Sequence, residues 1–203
     1  HYYYLLSKGT KDHIEMRDIV FVTGNANKLK EVKMLLASET LNLTNEPLDL
    51  DELQDTNLVS IATDKCKQAI KILGPGKEVF VEDTALTFDE FNGLPGAYIK
   101  WFVKSMGLDK IVKMLDSFEN KGAEAITTIA YADSKGEIHI FQGITKGKIV
   151  PSRGSLNFGW DSIFEPLDTP NLTYAELSKE EKNKISHRAK AFEHFKAYLD
   201  TLN

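Results

Sequence analysis

One strand–turn–helix junction constrains this chain more than any other stretch. Asp18-Ile19-Val20-Phe21-Val22 is a β-branched and aromatic run with strand character. It stops on Thr23-Gly24-Asn25-Ala26-Asn27 and restarts as Lys28 to Leu36, where apolar residues at 29, 32, 35 and 36 mark one helix face. A strand that hands over to a helix through a short polar turn predicts an α/β unit. The same turn gathers backbone N–H groups, a hydroxyl, an amide and the Lys28 ammonium, a combination suited to a phosphate chain. An ordinary βα loop with an Asn-rich turn has the same composition, so the junction alone leaves both readings open.

Length and composition narrow the classes. The 203 residues suffice for one large domain or two small lobes with a real core. With 42% hydrophobic and 27% charged residues, disordered and fibrous classes are excluded. The net charge of −5, with no block of like charges, argues against a chain that coats nucleic acid. No apolar run approaches the ~18 residues that cross a bilayer. Cys66 is the single cysteine, so no internal disulfide can form, which fits a reducing compartment. It shares helical spacing with Ala62, Ala69, Ile70 and Leu73 and reads as a core residue rather than a nucleophile. Residues 1–15 are too short in their apolar part for a signal peptide, and Met16 reads as a natural initiator. They read as a leader or an added remnant, with 16–203 as a single domain.

Further along, Leu48 to Gln54 is acidic and alternating, like a strand end running into a loop. Ile61 to Leu73 is a helix stopped by Gly74-Pro75-Gly76. Glu78-Val79-Phe80-Val81 is a buried-type strand running into Glu82-Asp83-Thr84, Gly93-Leu94-Pro95-Gly96 is a turn, and Tyr98 to Glu119 carries one or two helices broken near Gly107. Ala125–Ala132 and Glu137–Val150 form a hairpin through Asp133-Ser134-Lys135-Gly136. A Gly- and Pro-containing loop spans Pro151 to Pro170. A long helix follows from about Ser178, opened by a Ser178/Glu181 capping box and striped by Ile185, Ala189, Phe192, Phe195 and Leu199. The pattern predicts an α/β fold with a mixed central sheet, a long β-hairpin and two lobes flanking an active-site cleft.

Several clusters could carry chemistry. Glu82 and Asp83 end an apolar strand, where ligand sites of open α/β sheets gather, and Glu52 lies in the acidic loop. Carboxylates brought together there suit a hard cation and can orient or deprotonate a water. Lys28, Lys65, Lys100 and Lys182 are spread over four elements; converging lysines would offset charge in a phosphoryl-transfer transition state. Phe158-Gly159-Trp160-Asp161 offers close approach, stacking and a hydrogen-bond acceptor, an inventory that fits a purine. Ser186-His187-Arg188 places a guanidinium fork one face away from the apolar stripe, suited to a 6-oxo group. The fingerprints GxxxxGK[ST], GxGxxG and GxSxG are absent from the sequence, which removes P-loop, Rossmann and serine-hydrolase readings.

In this order the clusters resemble the inosine triphosphate pyrophosphatase family, in its eukaryotic branch. The resemblance rests on Thr23-Gly24-Asn25-Ala26-Asn27-Lys28, Val81-Glu82-Asp83-Thr84, Gly93-Leu94-Pro95-Gly96, Tyr98-Ile99-Lys100-Trp101, Phe158-Gly159-Trp160-Asp161 and Ser186-His187-Arg188. It implies hydrolysis of ITP, dITP and XTP to monophosphate and pyrophosphate with Mg²⁺, for which Mn²⁺ can substitute, by a cytoplasmic homodimer bound neither to nucleic acid nor to membrane. By matched position it implies Asp83 and Lys28 as the catalytic residues and Glu52 and Asp83 as metal ligands, Glu52 by the looser match. Thr23, Gly24, Asn25, Ala26, Asn27, Lys28 and Lys65 would contact the triphosphate, and Lys100 and Lys182 phosphate or sugar. Thr84, Gly159 and Trp160 would complete the substrate site, Phe158 would stack on the base, and Asp161, His187 and Arg188 would read it. Residues before Met16 match nothing in the family. Two other readings compete: a Maf-like pyrophosphatase acting on modified or pyrimidine nucleotides, and a nucleotide-binding sensor without catalysis.

Overall fold

The computed structural model of the chain describes residues 16–202, so the leader expected over residues 1–15 lies outside the described part. The first βα unit forms as its sequence predicts: β1 (Arg17–Val22) passes through the Thr23–Asn25 turn into α1 (Ala26–Leu35). Next come β2 (Leu41–Glu46), α2 (Leu58–Leu73) and β3 (Val79–Phe88). The short β4 (Pro95–Gly96) leads to α3 (Ile99–Met106) and α4 (Leu108–Lys113), split at Gly107, whose φ of 79° suits a residue without Cβ. The hairpin β5 (Gly122–Ala132) and β6 (Ile138–Ile149) follows, then β7 (Phe164–Pro166), α5 (Lys179–Ile185) and α6 (His187–Asp200).

One mixed sheet runs in the order β2-β1-β3-β5-β6-β7, with β4 on the end of β3. Its first three strands are parallel and the rest antiparallel. Strand β3 is therefore the seam, flanked by β1 and by β5, and Asp83 lies opposite Thr128 in the register with β5. Helix α2 covers one face of the seam through Ala62, Cys66 and Ala69 against Val79 and Val81. Helices α1 and α6 cover the other, where Phe80 stacks on Phe21 at 4.6 Å and meets Phe192 and Phe195 edge-on. Cys66 is fully buried as expected, and its apolar surroundings push the thiol up to about 12. Among the described residues, no helix is long and apolar enough to cross a membrane.

Strand β7 lies inside the Pro151–Pro170 segment expected as loop, and three further elements differ from the sequence expectation. Strand β2, a partly exposed edge strand with apolar residues only at Leu41 and Leu43, carried too weak an alternation to register; the acidic Leu48–Gln54 segment is loop. Strand β3 does not stop before Glu82 but continues to Phe88, carrying Glu82, Asp83 and Thr84 inside the sheet. The long C-terminal helix is two helices. Ser186, with extended backbone (φ −71°, ψ 154°), ends α5 and caps α6 by accepting from the Ala189 N–H. The break turns His187 and Arg188 inward instead of leaving them beside the apolar stripe.

Gly143 on β6 shows how closely α6 is laid on the sheet. A Cβ there would meet the His187 carbonyl and the Ala191 amide nearer than real Cβ contacts allow, and both are backbone atoms that cannot swing away. Gly143→Ala is expected to cost roughly 1–3 kcal/mol of stability, the usual cost of overpacking. Because the clash falls on the first turn of α6, activity should fall with it. A chemical denaturation curve superimposable on the parent would refute this.

Candidate active site

The period-two geometry of β3 sends adjacent side chains to opposite faces. Asp83 shares the α2 face with Val79 and Val81, and its Oδ1 accepts from Lys65 Nζ of α2 at 2.6 Å. Glu82 points toward α1 and α6, where Arg188 Nε reaches its Oε2 at 3.1 Å and Lys28 Nζ lies 3.8 Å from its Oε1. Read as a pair at a strand end, the two carboxylates looked like joint cation ligands. The sheet separates them: Asp83 pairs with Lys65 on the α2 face, and Glu82 with Arg188 and Lys28 on the other.

Two adjoining cavities meet at Asp83. The larger, about 670 Å³, contains Thr23, Gly24, Asn25, Lys28, Glu52, Lys65, Asp83 and Lys100 in its lining. The smaller, about 280 Å³, contains Asn27, Thr84, Phe158, Gly159, Trp160, Asp161, His187 and Arg188, and shares Asn25, Lys28, Glu52, Asp83 and Lys100 with the first. Asn27 ties the two loops together, its Nδ2 donating to the Asn157 carbonyl at 3.2 Å. The turn itself is held by the Asn25 side chain, which accepts from the amides of Asn27 and Lys28 at 3.0 and 3.1 Å. Two of the helix-end amides are thus satisfied by the cap, leaving Lys28 as the charged donor of this turn. Glu52, on the loop before α2, accepts from Lys100 at 3.0 Å and lies 3.6 Å from Lys65.

Burial sets the charge states. Partial burial lowers the Lys28 pKa, against the pull of Glu82. Burial lowers Lys65 too, but Asp83 more than reverses it and the net shift is upward. Burial raises Glu82, yet Arg188 and Lys28 hold it far below the ordinary carboxylate range. Burial, with Arg188 and Lys182 beside it, pushes His187 well down, so its ring is neutral at pH 7. That ring stacks on Tyr174 at 5.6 Å, and its Nδ1 lies 3.2 Å from the Tyr174 hydroxyl.

The residues picked from sequence are brought together with two exceptions. Ala26 lines neither cavity, and neither does Lys182, which is buried and donates to Glu31 and Asp161 at 2.7 Å each. Its ammonium also sits 4.1 Å from the centroid of the Phe158 ring. Glu31 was missed altogether. It is buried, accepts from Arg188 Nη1, and joins Arg188 to Lys182. The signal available was its spacing of three residues from Lys28, the same helical face, but an exposed surface ion pair has that spacing too. The result is a buried chain of charge: Lys28, Glu82, Arg188, Glu31, Lys182 and Asp161.

The cation expectation has one structural support. Asp83 Oδ2 is a buried oxygen with no hydrogen-bond partner, while its companion Oδ1 accepts from Lys65. An acceptor left open where two cavities meet, with Glu52 on the same lysine, is a donor set of the kind Mg²⁺ uses, one or two carboxylates with the remaining positions left to water and phosphate. A second group, Asp133, Glu137 and His139, brings possible ligand atoms within 4.8 Å at the hairpin turn. None of these lines either cavity; Asp133 there caps the turn and pairs with His139 at 2.9 Å.

Comparison with known proteins identifies the family. A protein named inosine triphosphate pyrophosphatase from Candida glabrata is 71% identical over 186 residues, 90% of this chain and 97% of that protein. One of the same name from Saccharomyces cerevisiae is 70% identical over 188 residues, covering 90% and 95%. Among solved structures, the Ham1 protein of Staphylococcus aureus superposes with a TM-score of 0.78 at 26% identity, over 92% of this chain and all of that one. A HAM1 protein from Coxiella burnetii gives 0.79 at the same identity and coverage. The model of the Ham1 family matches residues 19–198, nearly the whole described chain, and the chain belongs to that family.

Proposed function

We propose that the chain hydrolyses 6-oxo purine nucleoside triphosphates (ITP, dITP and XTP) to the monophosphate and pyrophosphate, cleansing the nucleotide pool. The observation that carries this reading is the meeting of the two cavities at Asp83: lysines on one side, an aromatic pocket with buried polar groups on the other. The names of the yeast relatives support the same substrate. In this reading Thr23, Gly24, Asn25, Lys28 and Lys65 hold the phosphates, and Phe158 stacks on the base above Lys182. Asp83, with an open buried oxygen, accepts a proton from the attacking water. Mg²⁺ held by Asp83 and Glu52, when bound, offsets the charge that builds on the phosphate oxygens. The homodimeric state, the cytoplasmic location and residues 16–203 acting as one unit belong to the same proposal.

Base selection follows from donor accounting. A guanidinium has five N–H groups. Arg188 commits four of them: Nε to Glu82, Nη1 to Glu31, and Nη2 to Glu82 at 3.5 Å and Thr84 at 3.0 Å. The remaining N–H, on Nη1, is held in place by the carboxylates and can donate to a carbonyl at C6. Adenine presents an amino group there, which leaves that buried donor unpaired at a cost of about 1–3 kcal/mol.

The test is product analysis after incubation with ITP, ATP and GTP, with and without Mg²⁺. IMP and pyrophosphate should form from ITP only with the metal, and ATP should be spared. IDP and phosphate as products would refute α–β cleavage, and tight ITP binding without product would refute catalysis.

A further inference from the structure

The larger cavity is more than a pyrophosphate needs. Its 670 Å³ lies within the range that takes an entire drug-sized ligand. The lysines and the Thr23–Lys28 turn account for part of its wall. Another part holds Leu48, Leu50, Leu53 and Trp101, side chains that carry no charge to offset a phosphate's. Trp101, on α3, is 54% exposed, unusual for an indole, and Leu53, in the same lining, is 44% exposed. Lys100 and Lys104 hold their ammonium groups 5.0 and 5.2 Å from the Trp101 ring centroid. The acidic loop also lines this part through Asp49 and Asp51, and is pinned to α2 by a two-way bond between the Asp51 backbone and the Gln68 amide at 2.9 and 2.8 Å. Further phosphates would meet repulsion from those carboxylates that Lys100 offsets only in part. A neutral heterocycle with ribose hydroxyls would not: the ring stacks on an indole and the hydroxyls donate to carboxylates.

We propose that Trp101 and Leu53 form a subsite for a nucleoside esterified to the distal phosphate, so that dinucleoside triphosphates with a 6-oxo purine are a second substrate class. This rests on the triphosphate reading of the site. The reaction balances with one water. Its oxygen bonds to the outer phosphorus next to one nucleoside, and the bond from that phosphorus to its bridging oxygen breaks. The bridging oxygen leaves on the nucleoside diphosphate, and the water's surplus proton goes to the base and then to solvent. Diinosine triphosphate, two inosines joined 5′ to 5′, thus gives IMP and IDP.

The experiment compares ITP and diinosine triphosphate on the full chain with Mg²⁺, for the parent, Trp101→Ala and Trp101→Phe. Expected are IMP and IDP from the dinucleotide, a KM for it raised about tenfold in Trp101→Ala, the magnitude of one lost stack, restoration by Trp101→Phe, and an ITP KM within about twofold throughout. A parent that cleaves ITP but not the dinucleotide overturns the subsite and leaves the triphosphate reading standing. A Trp101→Ala loss equal for both substrates also overturns it. Failure of the parent on ITP itself removes both.

Discussion

Asp83→Asn lowers ITP turnover by about a thousandfold while the protein stays folded. The substitution keeps the volume and the hydrogen-bonding shape but removes the charge, and an amide neither accepts a proton at neutral pH nor ligates a hard cation well. General-base roles alone are worth roughly 10²–10⁴-fold. The fold should tolerate the change because Asp83 is only half-buried, its one bonded partner is Lys65, and the packing of α2 on β3 runs through Val79 and Val81. Single-turnover assays report the rate, and a thermal melt reports the fold. Undiminished turnover would remove Asp83 from the chemistry, and a collapsed melt would make it structural.

Arg188→Met has the largest expected effect on stability. Arg188 is 1% exposed and is the shared counter-ion of Glu31 and Glu82. Methionine fills similar space but leaves two buried carboxylates facing each other with less cation between them. Removing one partner from a buried ion network costs about 3–5 kcal/mol. The pH dependence separates this from a simple packing defect. Burial raises the pKa of both carboxylates, but Arg188 and its cationic neighbours bring the folded values below the ordinary 4.5. In the parent, then, their contribution is complete above that value and is lost as pH falls toward the folded pKa. Asp161, raised above its ordinary 3.8 by burial, works in the opposite sense and offsets part of the decline. The parent loses stability from pH 7 to 5, because buried His187 stays neutral while the unfolded imidazole takes up a proton. Without Arg188 the carboxylates titrate upward and His187 loses a repelling neighbour, so the variant's stability rises relative to the parent's over that range. Parallel urea-derived stability curves for the two proteins over that range would overturn the argument.

Much of the framework was legible because its causes are local. The hairpin follows from Asp133 and Gly136, which close the turn through the Asp133 carboxylate and a glycine at φ 84°. The Ser178/Glu181 capping box and the Gly74 stop of α2 are likewise formed from residues within one turn of the helix they bound. The break at Ser186 was not legible. A serine inside a run with apolar residues at helical spacing reads as tolerated, and only the burial of His187 and Arg188 against the sheet rewards the extended backbone that makes it a cap.

By itself the sequence determined most of the elements, though not the edge strand β2 or the split of the C-terminal helix, and it marked many of the polar residues that line the cavities. Phe158 to Asp161, Thr23 to Lys28 and the β3 carboxylates announced themselves by residue type next to turns and strand ends. Which partner each charge has was decided only by the tertiary structure. Glu82 and Asp83 are neighbours in the chain but work on opposite sides of the sheet, and Lys182 is turned away from the cavities into a buried pair with Glu31 and Asp161. Glu31, 157 residues from Arg188, is the counter-ion that no pattern singled out. The reason is physical. Propensity and periodicity act over one or two turns of chain, whereas the energy of a buried charge depends on what lies within a few ångströms in space.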